Sequence, residues 1–306
     1  MTDRIMLESD CVSDLWEDLW DLLHPGGDLG EEFVLGLKCC LDDSISQKGV
    51  DPTPVTVIGG PVFSRIESKA FTKKWGPLLH KYRVPSPLHM VDFIRPHGKH
   101  IGIPIEMKVS LFRDVTALIN RHKLYSISVG VQNEEYFEAM PEEARKDLIS
   151  PYAFAFYCAV LTNKGVVKRS QSGLVRIAYL IDKGCAHRDH LEQAHTHAQI
   201  LEKEHQEKHI GAIAFDSDDY VPVLQAADVI SWAVRRKQAY GILSDEFEPL
   251  NEVIEPKRGS LSSFHEHIPI PKDGIEMFAR PIRAWLQKRG RLPALEEFIY
   301  QATGNV

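Results

Sequence analysis

The 306-residue chain is 43% hydrophobic and 26% charged, which is enough apolar material for one large domain with a substantial core. Its formal net charge of −7 excludes the broad positive field of a non-specific DNA binder, so any nucleic-acid contact is expected to be local. No apolar run approaches the roughly 18 residues of a membrane span, the opening MTDRIMLESD lacks the basic and apolar regions of a secretion signal, and the five cysteines form no C-x-x-C pair. Reduced thiols, a cytoplasmic location and no membrane insertion are expected.

Residues 1–30 read as an N-terminal extension built on one amphipathic helix, 12–24, in which Leu15, Trp16, Leu19, Trp20, Leu22 and Leu23 recur at helical spacing before Pro25-Gly26-Gly27. Its Trp16/Trp20 stripe fits packing on the domain body, or docking of a protein partner or a second copy of the chain.

The main domain is expected over 31–240. An apolar run from Phe33 to Leu41 ends in Asp42-Asp43-Ser44, and a second β-like run follows from Thr53 to Phe63. Together they read as a hairpin whose first strand delivers acids at its tip, with Gly59-Gly60-Pro61 as a bulge or bend. A helix is predicted over Ile66–Tyr82, a loop over Pro85–Asp92 and a further helix over Ile105–His122. Tyr125–Gln132 alternates strictly and reads as a third strand, followed by helices near Asn133–Ile149 and Pro151–Thr162. The nearly continuous apolar run Val175–Ile181 ends at Asp182, as in a central strand covered on both faces. A long charged helix, Arg188–Glu207, precedes a short strand, Ile213–Phe215, that ends at Asp216, and a strong helix covers Val221–Tyr240. Residues 241–274 read as an irregular excursion, and helices at Ile275–Gln287 and Leu295–Gln301 complete a segment, 241–306, packed on the same domain. The sum is an α/β fold with a mixed five-stranded sheet and helices on both faces.

Chemistry points to the strand ends. Asp42 and Asp43, Asp182 and Asp216 all stand where a strand runs out, and Asp228 shares a helical face with Gln225 at i, i+3 spacing. Taken singly, each is a common turn or cap residue: Asp43 beside Ser44, Asp216 within Asp-Ser-Asp-Asp. Gathered in a partly buried cleft, carboxylates either take up protons or bind a cation. Oxygen donors without a cysteine set favour Mg2+ or Mn2+, and two such ions about 4 Å apart activate water for attack at phosphorus.

The runs Leu41-Asp42-Asp43-Ser44, Leu88-His89-Met90-Val91-Asp92, Leu180-Ile181-Asp182, Phe215-Asp216-Ser217 and Leu224-Gln225-Ala226-Ala227-Asp228 resemble the bacterial domain of unknown function 3800 family. That family is grouped with the ribonuclease H-like superfamily, whose members hold two metal ions with acids at the ends of the first and fourth strands and in the final helix. The resemblance spans roughly Leu35–Arg236. It implies a ribonuclease H-like metal-dependent nuclease with Asp42, Asp182 and Asp228 as ligands, Asp43 as a supporting or alternative ligand, and His89 and Gln225 near the site, with Asp216, Ser217 and Asp92 alongside. Where the family shows Asp-Glu-Ser at the first strand, this chain has Asp-Asp-Ser, and Asp218 stands where a lysine follows the later Asp-Ser.

His89 has Asp92 close by in its loop and is placed to protonate a leaving oxygen or touch a phosphate. Four histidines between His187 and His197 offer a zinc alternative, but Leu191, Ala194, Ala198 and Leu201 form that helix's buried stripe, so solvated histidines are expected. His97 and His100 are expected to be exposed. No phosphate-binding glycine loop and no G-x-S-x-G turn occurs. Short basic clusters such as Lys73-Lys74 and Arg235-Arg236-Lys237 are the local points of nucleic-acid contact to hand. The competing reading is a non-catalytic binding or regulatory module on the same fold, in which the acids only cap strands.

Overall fold

The computed structural model describes residues 35–45, 51–95, 97–147, 150–169, 175–185, 187–205, 207–255 and 264–289. The expected N-terminal helix with Trp16 and Trp20, and the helix at Leu295–Gln301, lie outside the described residues.

Three strands form a meander. β1 (Leu35–Ile45) pairs antiparallel with β2 (Val55–Ser64), which pairs antiparallel with β3 (Tyr125–Gln132). Between β2 and β3 come α1 (Arg65–Lys81) and α2 (Ile105–His122). The first is started by an N-cap, in which Ser64 Oγ accepts from the Glu67 backbone N–H at 3.3 Å. After β3, the expected single helix divides at Met140-Pro141 into α3 (Asn133–Ala139) and α4 (Glu142–Asp147), because proline supplies no N–H to continue a helix. The next helix, α5 (Pro151–Arg169), runs well past its expected end. Then come β4 (Val175–Asp182), α6 (Arg188–Glu204), β5 (Ile210–Asp216) and α7 (Pro222–Tyr240). Helix α7 starts with Pro222 at its first turn and stops at Gly241, whose left-handed φ of 79° closes the C-cap.

The sheet has six strands, not five, in the order β5-β4-β1-β2-β3-β6. The sixth, β6 (His265–Ile270), pairs parallel with β3 and lies inside the stretch expected to be irregular. Its sequence, HEHIPI, has a single apolar alternation, Ile268 and Ile270, interrupted by Pro269, which is too short a period to mark a strand. A short helix, α8 (Asn251–Ile254), precedes it and α9 (Lys272–Arg289) comes after.

Strand alternation sends side chains into two cores. Leu37, Cys39, Leu41, Tyr179 and Ile181 join α5, α6 and α9 on one face; Cys40 and Leu180 join α1, α2 and α7 on the other. Among the described residues no helix is long and apolar enough to cross a membrane.

Gly59-Gly60-Pro61 inserts no bulge. The pairs Cys39↔Val62 and Asp42↔Gly59 keep one register on either side, and pairing with β3 runs through unshifted. Gly60 is there for space: a Cβ would lie 1.8 Å from the Cys40 carbonyl oxygen and 2.9 Å from Ala227 Cβ on α7. Gly60→Ala is therefore expected to lower stability by at least ~1–3 kcal/mol, read as a shift in denaturation midpoint. An unchanged midpoint would show that α7 does not press on β2 as described.

Candidate metal centre

β1, β4 and β5 are neighbours and run parallel, so their C-terminal ends open on one edge of the sheet. Leu41 pairs with Ile181, and one step further places Asp42 beside Asp182, which in turn pairs with Asp216. Asp42 and Asp182 point to the face that carries α7, since they alternate with Leu41 and Ile181 of the opposite core. Asp228 arrives on α7 from that same side. Asp43 alternates to the other face, where its charge acts on Tyr152 and Cys185.

The electrostatics record the crowding. Burial first, then the charges of Asp228 and Asp43, push the Asp42 carboxyl well above the usual carboxylate range. Burial raises Asp228 to about 7, opposed by the hydrogen bond from the Met90 N–H and by the charge of His89. Asp43 is raised to about 6 by burial and by the charge of Asp182. Asp182 is also raised by burial, against hydrogen bonds from the backbone N–H groups of Asp218 (3.2 Å) and Gly184 (2.7 Å). Gly184 admits that contact because a Cβ there would lie 2.6 Å from Asp182 Oδ2. Beneath the strand ends sits Lys38, lowered by burial to about 8 and in range of the Asp216 charge.

One loop closes the site from the α7 side. Gln225, fully buried, accepts from Trp75 Nε1 (2.7 Å) and from the Leu88 N–H (3.0 Å), and its amide donates to the Asp218 carbonyl (2.7 Å). Asp228 Oδ2 accepts from the Met90 N–H at 2.7 Å. His89, between those two anchored residues, presents Nδ1 3.0 Å from Asp218 Oδ2 and Nε2 3.9 Å from Asp219 Oδ1. The hydrogen bond to Asp218 is the main cause of its raised pKa.

Among the described residues, the one trio of potential ligands whose donor atoms all fall within 4.8 Å of one another is His89, Asp218 and Asp219. Asp42, Asp182 and Asp228 gather at the same strand ends and feel one another's charge, but they do not close to that distance as a set of three. Asp218 and Asp219 are the residues that sequence reading misses, because Asp-Ser-Asp-Asp looks like a helix-capping turn. It is a turn but not a cap: Asp216 Oδ1 accepts from the Ser217 N–H (2.7 Å) and Ser217 Oγ donates to Asp219 Oδ2 (3.1 Å), while Val221, the N-cap of α7, has no side-chain capping bond, so the expected helix cap at Asp216 is not formed. The only signal was the density of acid after a parallel strand. Asp92 stands at the loop's far side, 3.8 Å from Lys99, close enough for its charge to reach His89.

Other histidines behave differently from expectation. His195 and His197 are buried at 3% and 8% exposure, against Tyr179 and Tyr157, and burial lowers both to about 4. The buried stripe of α6 is simply wider than its aliphatic residues indicate. His100 is also fully buried, its ring 4.6 Å from Phe93. His187 and His190 stack at 5.5 Å at the start of α6 and belong to no ligand trio.

No protein-family model matches the chain, and no curated protein matches it. The reading of the site rests on its geometry.

Carboxyls held above their ordinary value of 3.8 favour the folded state when protonated and lose that advantage as pH rises toward their folded values. In metal-free protein these carboxyls are thus expected to contribute a falling slope of stability between about pH 4 and pH 7, against the rising slope of the buried His195 and His197. Asp228→Asn, which keeps an acceptor for the Met90 N–H, should flatten that slope and raise stability at pH 8 by on the order of 1–3 kcal/mol. Denaturant midpoints across pH check it, and an identical slope in the variant would refute the stated crowding.

Proposed function

We propose that the chain is a divalent-metal-dependent nuclease of ribonuclease H-like architecture, related to the domain of unknown function 3800 family, acting on phosphodiesters of RNA or DNA. The observation that carries this reading is the convergence of Asp42 on the first strand, Asp182 on the fourth and Asp228 on the helix after the fifth, each carboxyl raised by burial or by its neighbours. These are the three positions that the resemblance implies as metal ligands.

The donor set fits hard cations. It is all carboxylate apart from His89, and Cys185, the thiol that feels the charges of Asp43 and Asp182, is raised by burial to about 11, which keeps it protonated at neutral pH. One imidazole among the oxygens suits Mn2+ as well as Mg2+. A bound ion there supplies Lewis-acid stabilisation of the phosphoryl oxygens and a water of lowered pKa. The chain's own part is positional. Asp42, Asp182 and Asp228 supply ligand oxygens, Asp43 adds charge from the opposite face, and His89 holds a proton beside the site under the direction of Asp218. Gln225 and Asp228 fix the loop that aims His89. Lys183, exposed and next to Asp182 in sequence, is available as a cation for a phosphate.

Mg2+ or Mn2+ is expected to raise the melting temperature and to support cleavage of at least one of single- or double-stranded RNA and DNA. Asp182→Asn should keep the fold, lose the metal-induced stabilisation and reduce cleavage by ~100-fold or more. If metal neither stabilises the protein nor supports cleavage, the acids are strand and turn caps, and the non-catalytic binding module is the better account.

A further inference from the structure

The edge strand β6 is joined to β3 by more than backbone pairing. Lys123 Nζ donates to Ser126 Oγ at 2.9 Å and to the Val253 carbonyl at 3.1 Å. Ser126 Oγ lies 2.8 Å from His265 Nδ1, the far nitrogen of that ring lies 3.0 Å from Ser128 Oγ, and the same hydroxyl lies 2.8 Å from His267 Nδ1. Both serines are fully buried, Lys123 is 2% exposed, and the two imidazoles are nearly parallel, 7° apart, with centroids 6.5 Å apart.

This chain of five groups closes with every proton placed when both rings are neutral; burial lowers Lys123 to about 7, and its amine has donors for both of its hydrogen bonds with or without the added proton. Lys123 donates to Ser126, whose hydroxyl proton goes to His265 Nδ1. That leaves the Nε2–H of His265 to donate to Ser128, whose proton goes to His267 Nδ1. A proton added to His265 turns its Nδ1 into a donor facing Ser126, strands the hydroxyl proton of that serine, and puts a second cation beside the Lys123 ammonium. A proton added to His267 does the same to Ser128. The bordering charges offer little relief. Glu255, at the end of α8, is paired with Lys237 of α7, and Glu266 points to the opposite face, toward Tyr125 and 3.2 Å from Arg169 of α5. Burial accordingly holds both rings below the ordinary histidine value.

We propose that Lys123, Ser126, His265, Ser128 and His267 form a proton-operated clasp, closed while both imidazoles are neutral and released when they take up protons, so that acid frees β6 and bares the β3 edge of the sheet. Linkage sets the sign: a group that must be neutral in the closed state contributes fully above its unfolded value and loses that contribution as pH falls below it. A bared β3 offers a row of unpaired backbone groups from Ser126 to Val131, the surface to which an extended strand can add.

The test is hydrogen exchange on the full chain, corrected for intrinsic rates, from about pH 7.5 to about pH 5. Amides of β6 and the outer edge of β3 are expected to lose protection at least about tenfold, while β1 and β4 keep theirs. The ring nitrogens, followed by NMR in the unmodified protein, should show both histidines as neutral Nε2–H tautomers at neutral pH, with titrations that track the opening. A double substitution, H265Q with H267Q, should leave β6 protection insensitive to acid. The clasp is refuted if both rings titrate at the ordinary value while β6 stays protected. It is equally refuted if all strands lose protection together, or if the double variant keeps the acid response.

Discussion

The constraint on which the structure turns is parallel register. Because β4 and β5 lie beside β1 and run with it, the residues just past the last apolar position of each strand must emerge together. In all three strands those residues are acidic, and α7 adds Asp228 from above the same edge. Desolvation and mutual repulsion both oppose ionisation there, eased at Asp228 by the Met90 N–H and by the charge of His89. Packing of the two cores holds the carboxyls in place against that repulsion, at a cost in stability.

Helix α7 does this through two different contacts. Its approach to the sheet depends on Gly60, where no side chain separates β2 from Ala227 and the Cys40 carbonyl. Its polar face then reaches outward, with Gln225 tied to Trp75, Leu88 and Asp218, and Asp228 tied to Met90. The loop bearing His89 is therefore fastened to the same helix that supplies one of the acids. Ionised Asp228 is a stronger acceptor for the Met90 N–H than the protonated form, so the charge state of the centre and the seating of His89 are physically linked. Further down the helix, Arg235 is buried between Ser44 (2.8 Å) and Asp51 (2.6 Å), which pins both sides of the β1–β2 connection to the same rigid element.

Much of this was legible before any coordinates, for reasons that differ by element. Val175–Ile181 declares itself by its nearly continuous apolar run, Tyr125–Gln132 by strict alternation, and α2 and α7 because their apolar residues keep helical spacing over many turns. β6 was hard to read because only Ile268 and Ile270 of its six residues pack against the core, the rest of its hold coming from backbone pairing, serine hydroxyls and imidazoles, which carry no hydrophobic period. The acids of β1 and β4 could be found as strand-end residues and Asp228 by its helical spacing from Gln225, yet the separation of Asp42 from Asp43 by the pleat emerges only once the strand is known to continue to Ile45. The trio of His89, Asp218 and Asp219 was out of reach altogether. It joins a loop and a turn more than a hundred residues apart, and its geometry is set by Gln225, whose amide is satisfied on both sides by backbone groups that no spacing rule foresees.

The acid at position 218 also changes what kind of recognition the proposed activity allows. A lysine after the fifth strand would meet a phosphate with its own charge. Asp218 instead adds a carboxylate that orients His89, shares a potential ligand set with Asp219, and gives its backbone N–H to Asp182. A phosphodiester approaching such an edge meets net repulsion unless the carboxylates are already neutralised, and the overall charge of −7 supplies no compensating long-range field. Under the proposed reading, bound cations govern substrate affinity as well as the chemical step. Metal dependence should then appear in nucleic-acid binding before it appears in cleavage. That ordering sets this edge apart from a site in which lysine and arginine carry the binding and the ion serves only the reaction.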